Sequence, residues 1–333
     1  MPRKMVAFGI ASAALLAAAG NAIFTAPSAS AADYPAQPIH IMVGFAAGGA
    51  PDTLARIVGD KLSVDWGQPV VIENRTGAEG NIAMTVVARA PADGYTLVLA
   101  PVGNAAINPW LTPNLPYDPI KDFAPITQIA SVENVLVTSA RSPIRTVKDL
   151  IGFATSKGAA LSYATPGAGS LAHLAAELMA RAGGFHMNHI PYRGVAPALT
   201  DVIRGEVTLM FAQLSTAKPF IDAGQLRALG VASKRRSALL PDVPTIAEVG
   251  EMPDFEAVSW YAVMAPARTP ESIIAKLHAG VVRALNRPDV KAALVEQGVT
   301  PVGNSPDQLA AVIAADSARW AKVIKDANIR AEP

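Results

Sequence analysis

The stretch Ile39 to Leu62, IHIMVGFAAGGAPDTLARIVGDKL, decides the fold of this chain. Ile41, Met42, Val43 and Phe45, interrupted only by Gly44, read as a short buried strand, and the turn holding Gly48 and Gly49 empties directly into a helix. Leu54, Ile57, Val58 and Leu62 recur at the spacing of one helical face, with Arg56, Asp60 and Lys61 largely opposite. Pro51 suits the first turn, where a missing N–H costs nothing, and the glycines let several N–H groups converge in one small volume. Such a volume attracts a carboxylate or phosphate. Asp52 stands beside it, either as a helix cap or to receive a ligand ammonium or hydroxyl. A β-branched residue at Gly49 is expected to abolish binding without unfolding the chain.

Residues 1–31 stand apart. Arg3 and Lys4 precede the apolar run Met5 to Ala19, and Ala29-Ser30-Ala31 or Ser30-Ala31-Ala32 supplies small residues for cleavage, the pattern of a secretory signal peptide. There is no twin arginine, so export of an unfolded chain is the simpler route. Removing Arg3 and Lys4 from a formal charge of +1 leaves −1. A near-neutral chain with no basic stretch offers nucleic acid or an acidic membrane no electrostatic footprint. The absence of cysteine excludes disulfides, thiolate chemistry and cysteine zinc sites. With 51% hydrophobic and 17% charged residues, the core holds the fold unaided.

The opening pattern recurs along the chain. Pro69 to Glu73 is a strand, Asn74 to Gly80 a polar turn, and a helix runs to Ala90 before the strand Tyr95 to Ala100 and the loop Val102 to Ala106. Asn108 to Pro125 reads as an extended surface excursion tacked down by Trp110, Tyr117 and Phe123. After a strand Val132 to Thr138 and a helix Val147 to Ser156, Leu161 to Ala164 leads into Thr165-Pro166-Gly167-Ala168-Gly169-Ser170 and a helix from Leu171 to Ala182. His189 to Tyr192, Ala196 to Arg204, Val207 to Ala212 and the polar loop Gln213-Leu214-Ser215-Thr216 complete a second α/β unit. The strands Leu226 to Ala232 and Val258 to Ala265 and the helices Glu271–Leu285, Pro288–Gln297 and Pro306–Ala327 follow. Alternation of strand and helix implies a parallel sheet with ligands at the carboxyl ends of the strands. Two lobes, each with a glycine turn at a helix start, describe a clamshell that closes on a small ligand, with crossings near Glu133 and Phe255.

The ordered motifs are specific. Gly48-Gly49 with Asp52 and Arg56, Asn74-Arg75 with Gly77-Ala78, Asp93-Gly94-Tyr95-Thr96, Tyr117-Asp118-Pro119 with Asp122-Phe123, Gly167 with Gly169-Ser170 and His173, Pro191-Tyr192 with Gly194, and Leu240-Pro241-Asp242-Val243-Pro244-Thr245 with Glu248 and Gly250 together span almost all of the exported chain. This pattern resembles the substrate-binding proteins of tripartite tricarboxylate transporters, the Bug family of periplasmic receptors.

The resemblance implies an α/β, two-lobed periplasmic binding protein of type II, each lobe a sheet flanked by helices. The implied lobes are 32–133 with 256–333, and 134–255. It also implies no catalysis, no cofactor and no metal: a monomeric periplasmic receptor would deliver a di- or tricarboxylate, an aromatic carboxylate or an acidic amino acid to membrane permease subunits. Carried onto this sequence, Phe45, Ala46, Ala47, Gly48, Gly49 and Asp52 would form one wall. Thr165, Gly167, Ala168, Gly169 and Ser170 would form the other, with Asn104, Gln213, Ser215 and Thr216 on the flanks. Arg75 and Arg193 are the candidate charges for carboxylate recognition. The chain departs from the usual family pattern at Ala47, Thr76 and Glu79, where proline, proline and glycine are more typical. Glu79 would disfavour a dianion or bind an amino group.

Other readings are weaker. Gly167-Ala168-Gly169-Ser170-Leu171-Ala172 fits the spacing of a nicotinamide dinucleotide turn, but no acidic residue stands around position 187, and Sec-type export argues against loading such a cofactor. Ser170 and His173 lack a nucleophile elbow, and the pairs His186/His189 and His173/Glu177 lack further ligands nearby in sequence. Trp260 and Tyr261 either stack on an aromatic ligand or pack between the lobes. A receptor that signals to a membrane partner shares the uptake receptor's sequence features, and capture of partners by the closed form separates the two.

Overall fold

The structure, a computed structural model, describes Met1 and residues 34–156, 161–192, 194–296 and 298–330. The signal-peptide reading and the charge assigned to Arg193 lie outside the described residues. The strands in chain order are β1 (Ile39–Val43), β2 (Val70–Asn74), β3 (Thr96–Pro101), β4 (Phe123–Val132), β5 (Asn134–Ser139), β6 (Ser162–Thr165), β7 (Asn188–Pro191), β8 (Leu209–Gln213), β9 (Leu226–Val231), β10 (Ser259–Pro266) and β11 (Val299–Pro301). They form two sheets. One is six-stranded, ordered β11-β4-β10-β3-β1-β2, and the other five-stranded, ordered β7-β6-β8-β5-β9.

Neither sheet is wholly parallel, which corrects the expectation from strand and helix alternation. β1 pairs parallel with β2 and β3, and β6 with β7 and β8. β10, however, runs antiparallel between β3 and β4, and β5 antiparallel between β8 and β9. These two strands are where the chain passes from one sheet to the other, so each enters its sheet against the direction of the strand–helix units. Every residue of β5 and of β10 is buried, as expected for central strands covered on both faces.

β4 was not legible as a strand. Pro125 and the polar pair Thr127 and Gln128 mask its pattern, and their polar groups are satisfied from 176 and 177 residues away: Thr127 Oγ1 donates to Asn304 O at 2.7 Å and Gln128 N to Asn304 Oδ1 at 2.8 Å. The excursion before it is held by an edge-on contact of Tyr117 and Phe123, 5.9 Å between ring centres, while Trp110 is half exposed and donates through Nε1 to Ser317 Oγ. Val132 to Thr138 is two strands in different sheets.

The two crossings touch. Ala232 N donates to Asn134 O, Ala257 N to Ala232 O, and Asn134 Nδ2 to Ala257 O at 2.7 Å. One buried asparagine thus clasps both connections. The C-terminal helix Pro306–Ala327 places Leu309, Ile313 and Trp320 in an apolar cluster that also holds Leu136, Leu174 and Met179, so one core runs under both sheets.

The opening helix is Ala50–Trp66. Leu54, Ala55, Val58 and Leu62 are buried and Arg56 is exposed, so the predicted apolar face packs on the sheet.

Candidate functional site

A cavity of about 510 Å³ opens between the two sheets at the ends of β1, β3, β6 and β8. Its walls are the first turns of two helices. Phe45 comes from the loop after β1, Ala50 and Pro51 from the start of Ala50–Trp66, and Gly167 to Leu171 from the turn that opens Leu171–Gly183. Asn104 and its neighbours after β3 form one flank, and Gln213, Ser259, Trp260 and Tyr261 the floor.

In the first wall, Asp52 is turned away from the cavity. It is buried, and its Oδ2 accepts from Gly48 N at 2.8 Å and Arg56 Nε at 3.0 Å. Its Oδ1 accepts from Arg56 Nη2 and Asn74 Nδ2, each at 2.9 Å. The Arg56 hydrogen bond is the main cause that holds its carboxyl down to about 2, with Gly48 and Asn74 adding to it against burial. Asn74 Nδ2 also donates to Phe45 O, so this group ties the turn to the end of β2. Gly49 is the residue before the helix, in extended backbone at φ −75°, and a Cβ there would meet Ala46 O at 3.4 Å. A Cβ is therefore accommodated at Gly49, and the left-handed position of the turn is Gly48, at φ +82°.

The second wall rests on a stack of rings. Ser170 precedes the helix, its Oγ accepting from His173 N at 3.3 Å. Gly169 N donates to His173 Nδ1 at 3.0 Å, and the His173 ring lies 3.9 Å from that of His189, which in turn stacks on Tyr163. Burial pushes His173 down to about 4, helped by the His189 ring. Thr165 is fully buried and holds both His189 Nε2, at 2.7 Å, and Gly167 O. His173 thus serves the turn rather than Ser170, which removes the basis of a serine–histidine pair. Among the described residues no group of three or more metal-ligating side chains occurs.

The glycine N–H groups are largely spent within their own turns. Gly48 and Gly49 donate to Asp52 and to Ala46 O, and Gly167, Gly169 and Ser170 to Thr165 Oγ1, His173 Nδ1 and Gly167 O. This corrects the picture of a cradle made of glycine amides. At the two helix starts, Thr53 N donates to Gly49 O and His173 N to Ser170 Oγ, and Pro51 carries no N–H.

On the flank, Asn104 is buried and donates through Nδ2 to Glu79 O at 3.1 Å and Asn81 Oδ1 at 2.8 Å. Asn108 and Tyr117 converge on the same Asn81 oxygen, each at 2.8 Å, and burial pushes the Tyr117 hydroxyl up to about 12. On the floor, Trp260 donates through Nε1 to Asp316 Oδ2 at 2.7 Å, while burial raises the Tyr261 hydroxyl above its usual range. Trp260 and Tyr261 join different apolar clusters, as the pleat demands of adjacent strand residues, so they form no joint stacking platform.

Of the residues singled out from sequence, Phe45, Glu79, Asn104, Gly167, Ala168, Gly169, Ser170, Gln213, Trp260 and Tyr261 line this cavity. Gly48 and Ser215 line a neighbouring one of about 540 Å³ that shares Ala50 and Gln213. Ala46, Ala47, Gly49, Asp52, Thr165 and Thr216 line neither. Ser215 and Thr216 lie in a helix, Leu214–Asp222, rather than a loop, and Thr216 is exposed. Arg75 pairs with Glu73 at 2.8 Å and does not line the cavity. Sequence reasoning missed Ser259, Gly103, Ile107 and Asn108; the turn Gly103–Ile107 is π-helical, an irregularity no residue pattern announces.

Residues 54–329 match the family described as Tripartite tricarboxylate transporter family receptor. The chain is 38% identical over 323 residues to Protein BugT of Bordetella pertussis, covering 95% of this chain and 98% of that protein. Among solved structures it is similar to R. palustris Rpa4515 with adipate, at 38% identity and a TM-score of 0.77 over 90% of this chain and all of the other. It is also similar to MatC of Rhodopseudomonas palustris with bound malate, at 33% identity and a TM-score of 0.72 over 87% of this chain and all of the other. The dehydrogenase and hydrolase readings give way to these findings, and the chain belongs to the tripartite tricarboxylate transporter family of periplasmic solute receptors.

Proposed function

We propose that this chain is exported by a cleaved signal peptide within residues 1–31, captures a small carboxylate as a monomer by closure of two lobes, and presents the closed form to a membrane permease. The lobes are 32–133 with 256–333, and 134–255. The observation that carries the reading is the cavity itself, which faces the first turns of two helices on opposite sheets, Ala50 and Pro51 against Ser170 and Leu171. Partial positive charge on both walls suits an anion held between them. The two crossings clasped by Asn134 supply a short hinge.

Relatives with bound adipate and malate support the carboxylate class. A hydrogen bond to a charged group contributes about 1.5–3 kcal/mol, so three or four approach the roughly 8 kcal/mol of a micromolar complex before ordering costs. Closure must bring further ligand-binding groups to bear to offset those costs. Small-angle scattering of the mature chain, without and with saturating carboxylate, tests the proposal. The radius of gyration should fall on binding, and a radius unchanged by a ligand that calorimetry shows to be bound would refute closure.

A further inference from the structure

The one charged side chain among the described residues lining the cavity is Glu79, and it is acidic. Its position is fixed by the backbone. Asn104 Nδ2 holds the Glu79 carbonyl, and the following Gly80 is pressed against the end of β1, where a Cβ on Gly44 would lie 2.5 Å from Gly80 Cα. Ala78 and Glu79 are both left-handed, at φ 45° and 54°, a conformation that costs non-glycine residues stability and persists where the surroundings impose it.

The walls are also unequal. The first turn of Ala50–Trp66 already carries the buried Asp52 carboxylate, bonded to Gly48 N, whereas the first turn of Leu171–Gly183 contains no acidic residue. An anionic group is therefore favoured at the second wall and disfavoured beside Glu79.

Resting on the carboxylate-receptor reading, we propose that Glu79 sets ligand polarity and class: a carboxylate sits against Gly167 to Leu171, and a donor, an ammonium or a hydroxyl, faces Glu79 from its other end. Simple dicarboxylates are then the poorer ligands. A like charge about 6 Å away in a partly screened cleft changes an affinity by roughly tenfold.

The test is calorimetry with chain-matched pairs, adipate with 6-aminohexanoate and 6-hydroxyhexanoate, and succinate with 4-aminobutanoate, on the wild-type protein and on Glu79→Gln. The variant keeps the backbone and removes only the charge; an unchanged melting temperature checks its fold. The wild type should prefer the amino or hydroxy member by about tenfold or more, and Glu79→Gln should cancel or invert the preference of ammonium over carboxylate. If dicarboxylates bind the wild type more tightly, or the ratio is the same in both proteins, the role of Glu79 is wrong while the receptor reading stands. If no carboxylate of any class binds either protein, the receptor reading fails and this inference fails with it.

Discussion

Acid should weaken this protein through His173 before it protonates most carboxylates. The folded ring titrates near 4, against 6.5 for an ordinary histidine, because burial and the His189 ring disfavour its charge. The depressed folded value means that the unfolded chain binds the extra proton first, so stability is complete above pH 6.5 and is lost as pH falls toward about 4. At about 1.4 kcal/mol per pKa unit, linkage gives a loss of about 2 kcal/mol at pH 5 and about 3 kcal/mol at pH 4.

Charging the ring also has a local consequence: a proton on Nδ1 would face the Gly169 N–H that now donates to it, so the second wall of the cleft loosens with the charge. Urea denaturation at pH 7.5 and pH 5 should show that loss in the wild type and a much smaller one in His173→Gln, which cannot titrate. Equal pH dependence in the two proteins would refute the reasoning, as would a proton NMR titration placing His173 near 6.5.

Further outcomes follow from other contacts. Gly44→Ala drives a Cβ into the Gly80 backbone, which a side-chain rotation cannot relieve, and should cost about 1–3 kcal/mol in a denaturant titration while displacing the Asn104–Glu79 hydrogen bond. Asp52→Asn removes the ion pair with Arg56 and should lower stability by about 1–2 kcal/mol in a denaturant titration; an unchanged midpoint would contradict the engagement of this carboxyl by Gly48, Arg56 and Asn74. Gly169→Ala meets both a backbone at φ +76° and the Leu111 side chain at 2.5 Å; in a Leu111→Ala background the steric part should vanish, leaving Gly169→Ala to cost about 1–2 kcal/mol of backbone strain relative to Leu111→Ala alone in a thermal melt.

The recurrence of strand, glycine turn and helix at Ile39 and again at Leu161 made the α/β architecture legible, because both units obey local rules of periodicity and turn chemistry. Features set by distant partners were hidden. β4 carries polar residues that Asn304, far along the chain, satisfies, and the helix at Ser215 and Thr216 contains Pro219, which masks a helical pattern. At the site, glycines mark where the walls are but not which way their amides point. That direction depends on Asp52, Thr165 and His173 capturing them from inside. The Asp52 and Arg56 spacing of four residues was in view, and an i,i+4 ion pair was the signal that Asp52 was already engaged.

Gly103 offers the most direct test of the cleft as the ligand site. It lines the cavity in helical backbone, and a Cβ there meets nothing within 4 Å, so the side chain of Gly103→Leu starts into open space and adds bulk to the cleft. Thermal unfolding of the wild type and of this variant, each with and without amino-, hydroxy- and dicarboxylates, is the measurement. A ligand at a hundred times its dissociation constant should stabilise the wild type by about 2.7 kcal/mol and leave Gly103→Leu, with its unliganded melting temperature unchanged, unshifted. Equal stabilisation of both proteins would place the ligand elsewhere and contradict the account.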